Sequence, residues 1–261
     1  MASKYQALTF EIADRIGHVV LNRPDKLNAL DSVMLRELDA VRQEVEQSDV
    51  GAVVFRGAGR CFSAGADLAE LARFDTADKP LDHIEWIQRL YNAIEDLNIP
   101  TIAAIHGFAF GGGLELALCC DLRILADDGR VGVPEIKVGL LPGAGGTQRL
   151  SATLPPAVAR RMILLGDPLT AQEALTHGLV NGLYPADQVL EAALGFARRF
   201  LEMPPLAVRV GKMLIRGASQ PLVRTGIEAE RQGMAFLFAT EDRKEGTTAF
   251  VEKRSPTFRG R

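Results

Sequence analysis

Two glutamates in this chain stand in apolar company. Glu115 sits among Leu114, Leu116, Ala117 and Leu118, and Glu135 lies in Val133-Pro134-Glu135-Ile136, just ahead of Gly139. Lone carboxylates rarely occupy such surroundings unless they are paired, hydrogen-bonded or functional. The segment between them has room for a strand and a loop, so the chain can return beside its start. Two converging carboxylates suit acid–base work at opposite ends of a small group. The plainer alternative is a helix-capping Glu115 and a solvent-facing Glu135.

Two loops of small residues add a second chemistry. Ser63-Ala64-Gly65-Ala66-Asp67-Leu68 runs from a strand into a helix, and Phe110-Gly111-Gly112-Gly113-Leu114-Glu115 is a glycine turn opening an apolar helix. A helix start carries unpaired N–H groups and the positive end of the dipole, so it favours a developing negative charge. Two such starts side by side make an oxyanion hole; taken singly, each is equally a tight turn. Other patterns fail. Phe62-Ser63-Ala64-Gly65 is no nucleophile elbow, because position 61 is Cys instead of Gly, and Ser63 reads as a turn residue. Gly143-Ala144-Gly145-Gly146 lacks the leading strand and glycine spacing of a dinucleotide site. His83-Ile84-Glu85 has no Pro-Cys-x-x-Cys partner, and His106 reads as a satisfied core histidine. Metal catalysis is not expected.

The elements that must position these groups alternate strand with helix. Leu8, Phe10 and Ile12 alternate with polar neighbours, and His18 to Leu21 follow Gly17, which predicts a hairpin. Asp31 and Ser32 cap a helix with Leu35, Leu38, Val41 and Val45 at helical spacing. Strands are expected at Ala52–Phe55, Thr101–His106 and Leu122–Ala126, with a helix over about Leu81–Leu97 and a buried one from near Gly113. This alternation gives a mixed α/β sheet. Beyond Gly143 helices dominate: Thr147–Thr153, Ala157–Leu165, Ala171–His177, Asp187–Glu202, Leu206–Arg216, then almost to the end, with Leu179–Tyr184 the one strand. The expected organisation is an α/β core over 1–203 and a helical region over 204–261. Gly233 to Phe238 is apolar on every helical face, so it must be covered by the chain's own core or by another subunit, and a subunit interface is the favoured reading.

Composition excludes several classes. With 47% hydrophobic residues the chain folds, and with 30 Lys+Arg against 33 Asp+Glu it has no basic field for nucleic acid or an anionic membrane. The apolar stretch Ile99–Cys120 is broken by Pro100, His106 and glycines, so it does not span a bilayer. Three cysteines, Cys61, Cys119 and Cys120, form neither a disulfide framework nor a zinc pattern. The N-terminus carries no secretory or transit pattern. A reduced, cytoplasmic protein is expected.

The ordered set of motifs resembles the enoyl-CoA hydratase/isomerase (crotonase) superfamily. It comprises Asn22-Arg23-Pro24, Ser63 to Leu68, Gly111 to Ala117, Cys120-Asp121, Pro134-Glu135-Ile136, Leu141 to Leu150 and Ala249 to Arg254, which together span essentially the whole chain. The resemblance implies a spiral of ββα units followed by a helical trimerisation region, and a homo-oligomer, a trimer or a hexamer made of two trimers. It implies acyl-CoA thioester substrates, with the thioester oxygen between the N–H groups of Ala66 and Gly112. Members that hydrate 2-enoyl-CoA carry both glutamates, here Glu115 and Glu135, and need no metal or redox cofactor. Members that only isomerise a double bond commonly keep the second carboxylate and lose the first; isomerase or another acyl-CoA lyase is the alternative. Substrate and coenzyme A contacts carried over by the resemblance fall on Lys26, Leu27, Ala29, Ala64, Gly65, Asp67, Leu68, Gly111, Pro134, Gly143, Phe250 and Lys253. Residues between Leu68 and Ile87 are expected to line the acyl pocket. Met234 stands where some hydratases carry an aromatic residue near the adenine. An RNA-binding member of the fold is a further alternative, against which stands the missing basic stripe.

Overall fold

The computed structural model of the chain describes residues 4–72 and 78–260, with the backbone alone for 78–81 and 218–222. The strands are β1 (Leu8–Ala13), β2 (Ile16–Leu21), β3 (Ala52–Gly57), β4 (Thr101–Ile105), β5 (Phe108–Phe110), β6 (Leu122–Ala126), β7 (Arg130–Gly132), β8 (Leu169–Thr170) and β9 (Gly182–Tyr184). The helices are α1 (Ser32–Glu46), α2 (Leu68–Leu71), α3 (Asp78–Glu95), α4 (Gly112–Leu118), α5 (Gly146–Thr153), α6 (Pro156–Leu165), α7 (Ala171–Thr176), α8 (Val189–Leu201), α9 (Pro205–Phe238) and α10 (Glu241–Glu252). Short 3-10 helices cover Pro24–Lys26 and Pro134–Val138. Of the expected acyl-pocket stretch, residues 73–77 lie outside the described residues.

The hairpin forms as the alternation predicts, β1 antiparallel to β2 with Leu8 opposite Leu21. From β2 onward the larger sheet is parallel, in the order β1-β2-β3-β4-β6-β9. Successive side chains point to opposite faces, and both faces are covered. Val53, Phe55, Ala103, Ile105 and Leu125 enter the main core with Met34 and Leu38 of α1, Tyr91 and Ile94 of α3 and Leu114 of α4. Ala52, Val54, Ile102, Ala104, Ile124 and Ala126 meet Val189, Ala193 and Ala197 of α8, a stripe of four-residue helical spacing.

The smaller sheet makes the architecture a spiral of ββα units. It orders β5-β7-β8, and Ser63 joins it through a parallel bridge to Ala109. Each turn of chain thus visits the large sheet and then the small one: β3 then Ser63, β4 then β5, β6 then β7. The bridge at Ser63 and Ala109 and the pairing of Ala109 with Val131 keep the three turns in step. Ala66 and Gly112 follow three residues after their paired positions, and Glu135 four after its own. The candidate groups therefore leave the small sheet at one level of the spiral.

The structure corrects several expectations. The apolar run Thr101–Gly113 holds two strands, because Gly107, with φ +62°, turns the chain from β4 into β5. The strand expected over Leu179–Tyr184 is confined to Gly182–Tyr184, since the N–H groups of Leu179 and Val180 donate to Ala174 O at the end of α7. The helix expected to stop at Arg216 runs on through Gly217 as the 34-residue α9. An interior glycine costs only about 1 kcal/mol against Ala, and α9 is anchored at both halves. Lys212 Nζ donates to Asp121 Oδ2 at 2.6 Å and to Ile99 O at 2.8 Å, while Ile227, Met234 and Phe238 are buried. Gly233–Phe238 is accordingly only partly open: Met234 and Phe238 pack with Leu71, Ile84 and Leu140 of the same chain, and Phe236 is 72% exposed. Among the described residues no helix is long and apolar enough to cross a membrane.

Candidate active site

Ser63 is fully buried, donating its hydroxyl to Asn28 O at 2.8 Å and accepting the N–H of Gly65 at 3.1 Å. It is a turn residue, as the sequence suggests. Gly65 has φ +95°, and a Cβ there would lie 2.7 Å from Phe110 O and 3.2 Å from Gly112 N. Only glycine lets the two loops abut. An ideal Cβ on Gly112 would stand 3.6 Å from Ala66 N, so the two N–H groups are neighbours. Ala66 is exposed and Gly112 half-buried, and among the described residues neither N–H donates to the protein. Tyr91 Oη donates to Gly112 O at 2.8 Å and fixes the start of α4 from below. Such a pair of open, preorganised donors can stabilise an oxyanion.

The carboxylates lie beside this pair. Gly111, with φ +51°, puts its missing Cβ 2.7 Å from Glu135 Oε1, so Glu135 rests directly over the helix start. The parallel bond from Gly111 N to Gly132 O, 2.9 Å, holds the two turns at that distance. Glu135 Oε2 is buried and has no partner. Burial pushes the Glu135 carboxyl up to about 7. Glu115, only 3% exposed, accepts the N–H groups of Ala144 at 2.8 Å and Gly146 at 2.7 Å on Oε1. Burial, then repulsion from Glu135 and Glu230, holds Glu115 well above the ordinary range, against the pull of those two N–H groups. Neither the capping role for Glu115 nor the solvent-facing role for Glu135 is what the structure contains.

The other expected contacts divide in two. Leu27 O accepts Ala64 N at 2.9 Å, Gly65 O accepts Leu30 N at 2.8 Å, and Arg23 bridges Ala29 O and Asp67, so 26–30 and 64–67 form one unit at the loop pair. Asp67 caps α2 ahead of Leu68, and Pro134 opens the 3-10 helix that carries Glu135. Lys26 is exposed. Phe250 is exposed near the C-terminal end of α10 and Lys253 caps that helix; neither hydrogen-bonds the loop pair. Gly143 packs against the side chain of Met234, a residue only 4% exposed that joins the cluster of Leu71, Ile84, Leu140 and Phe238. His106 is half-buried and bonded to Gly59 O at 2.9 Å, a satisfied group though not a core one.

Sequence reasoning missed Glu230 on α9, which is 5% exposed and accepts Gly145 N at 2.6 Å and Thr147 N at 3.0 Å. Its signal was present: Glu230 shares a helical face with Ile227, Met234 and Phe238, spaced three, seven and eleven residues from Ile227. Gln88 was missed likewise, on the face of Ile84 and Tyr91; its Nε2 donates to Gly143 O at 2.8 Å. Arg149 Nη1 donates to Ala144 O at 2.9 Å and completes the frame around this turn. Among the described residues no group of three or more His, Cys, Asp or Glu is arranged to hold a metal ion.

The spiral fold recurs in known proteins. Residues 11–261 match the family model described as enoyl-CoA hydratase/isomerase. The 2,3-dehydroadipyl-CoA hydratase of Escherichia coli is 40% identical over 248 residues, covering 95% of this chain and 96% of that one. The crystal structure of an enoyl-CoA hydratase from Mycobacterium avium subsp. paratuberculosis superposes with a TM-score of 0.88 at 31% identity, covering 98% and 99% of the two chains. That of a carnitinyl-CoA hydratase from Mycobacterium avium gives 0.87 at 37% identity, covering 99% and 100%. With a match of that length in both sequence and fold, the chain belongs to the enoyl-CoA hydratase/isomerase family.

Proposed function

We propose that this protein hydrates a 2-enoyl-CoA thioester to a 3-hydroxyacyl-CoA. The observation that carries the reading is the presence of two buried carboxylates beside two open N–H groups. Glu115 is held by Ala144 and Gly146, and Glu135 carries an unpartnered oxygen over Gly111. The N–H groups of Ala66 and Gly112 receive the thioester oxygen and draw electrons from the double bond, leaving Cβ electrophilic. Water attacks Cβ, and Glu115 takes its proton. The electron pair of the double bond moves toward the thioester oxygen, then returns as Glu135 gives a proton to Cα. A C–O and a C–H bond form, one double bond is lost, and proton exchange with solvent resets the pair. The hydrogen bonding supports these roles: two N–H groups on Glu115 Oε1 favour its anion against burial and the repulsion of Glu135 and Glu230, while Glu135 Oε2 has no donor and can carry the proton. An enzyme that only isomerises has no use for the held Glu115.

The reading extends to the whole assembly. Leu206, Val210, Met213 and Leu214 leave an apolar face on the first half of α9, which supports a division into a core over 1–203 and an oligomerisation region over 204–261, packed as a trimer or a pair of trimers. Lys253, without an ion pair among the described residues, suits the phosphates of a neighbour's coenzyme A. Three free, buried cysteines suit a reducing cytoplasmic setting. No cofactor beyond the substrate's own coenzyme A is called for. Loss of the conjugated absorbance of a short 2-enoyl-CoA, with 3-hydroxyacyl-CoA identified by mass spectrometry, tests the function. Migration of the double bond in a 3-enoyl-CoA without any hydroxyacyl product overturns it in favour of isomerisation, and inertness toward both overturns the acyl-CoA reading.

A further inference from the structure

The turn Ala144–Thr147 is read by two carboxylates in alternation. Glu115 of α4 takes the N–H groups of Ala144 and Gly146, and Glu230 of α9 takes those of Gly145 and Thr147. Glu230 also accepts the Thr147 hydroxyl and, at 3.4 Å, Gln88 Nε2. We propose that Glu230 is a positioning residue for Glu115: by holding the odd members of the turn it fixes the even members that orient the Glu115 carboxylate.

Arg149 Nη1 and Gln88 Nε2 hold the carbonyls of Ala144 and Gly143, while the four N–H groups of the turn are held by the two carboxylates. Four consecutive N–H groups at the start of α5 have no helical acceptor of their own, and Gly145 sits at φ +98°. Without Glu230 the N–H groups of Gly145 and Thr147 lose their acceptor, and the peptide units beside Ala144 and Gly146 gain freedom to rotate. Glu230 comes from a different element, far along the chain, so it pins the turn against α9 from the other side. Carboxylate acceptance of backbone N–H is charge-assisted and roughly twice as strong as a neutral bond. The Glu115 carboxylate is faced by Glu135 from the 3-10 helix, Tyr91 from α3, Arg149 from α5 and Glu230 from α9. Of these, only Glu230 bonds the same turn through its main-chain N–H groups.

The consequence for turnover rests on the hydratase reading; the consequence for the turn does not. Glu230→Gln keeps the shape but gives one fewer accepting oxygen and no charge. In this variant the amides of Ala144 and Gly146, whose acceptor is Glu115, exchange hydrogen about tenfold faster relative to Ile102 and Ala104 of β4. The kcat for 2-enoyl-CoA falls about tenfold with KM unchanged. Thr147→Val, which removes one donor and leaves the charge, shifts both in the same direction by less and serves if Glu230→Gln fails to fold. Faster exchange confined to Gly145 and Thr147, or a kcat equal to that of an active wild type, overturns the proposal. A wild type without hydratase turnover overturns the functional reading instead, and the exchange result then decides the role of Glu230.

Discussion

Two runs of backbone N–H groups border the site, and they are used in opposite ways. At Ala66 and Gly112 the donors are left without protein acceptors, one on an exposed residue and one half-buried. At Ala144 to Thr147 every donor is taken by a carboxylate. Both runs come from small residues at a helix start, so local sequence does not distinguish them. What differs is the partner brought by the fold. The first run meets another open loop, and the second meets two acids from α4 and α9. Open donors are available to a charge that appears only during reaction, whereas saturated donors hold Glu115, the proposed proton acceptor, and Glu230 beside it.

The sharpest way to break this comparison is to neutralise the acids. Glu115→Gln and Glu135→Gln are each expected to lower kcat by about 10²–10⁴, with the affinity for a saturated acyl-CoA unchanged in equilibrium titration. Near-wild-type turnover in either variant removes that residue from the proton path. The open run is tested next. Gly112 occupies the first position of α4, where proline is tolerated, so Gly112→Pro deletes the donor while keeping the helix. The expected loss in kcat is about 10²–10³, counted only if circular dichroism shows the fold intact.

Smaller effects sharpen the saturated side. A Cβ on Gly146 would come within 2.6 Å of Glu115 Oε1 and 2.7 Å of Pro142 Cβ, so Gly146→Ala must displace the carboxylate. A shift of about 1 Å costs up to about 10² in rate, and steady-state kinetics should show it in kcat without a matching change in KM. The smallest effect is on stability. Burial raises the Glu135 carboxyl from 4.5 to about 7, so between those values the folded chain keeps a proton that the unfolded chain has released. Stability contributed by this group therefore falls as pH rises through that window and stays low above it. Glu135→Gln removes this group's share of the dependence. Its Tm should exceed that of the wild type at pH 8, by roughly 2–4 °C for each kcal/mol relieved, and match it at pH 4. Differential scanning calorimetry at the two pH values decides this.

Much of the site was legible because its signals are local. Small residues at 63–66 and 111–113 announce turns and helix starts, and carboxylates inside apolar runs stand out at once. The short strands β5, β7 and β8 were not legible, since three residues or fewer carry no periodicity and form only against a partner already in place. Glu230 escaped for a related reason. In Ile227-Glu228-Ala229-Glu230-Arg231 it looks like one of several solvated charges, and only its helical phase with Met234 and Phe238 separates it from Glu228.

Sequence alone determined which residues have the chemistry: the two glutamates, the loops with donors to spare, and the alternation that makes an α/β chain. These follow from residue type and near-neighbour spacing. Tertiary structure alone decided which donors stay open and which are consumed. That depends on the parallel register Ser63–Ala109–Val131, which brings three loops to one level, and on α9 returning across the chain to place Glu230 on the turn that holds Glu115. A hydrogen bond is a property of two groups, and in this site the second group almost always comes from a distant part of the chain.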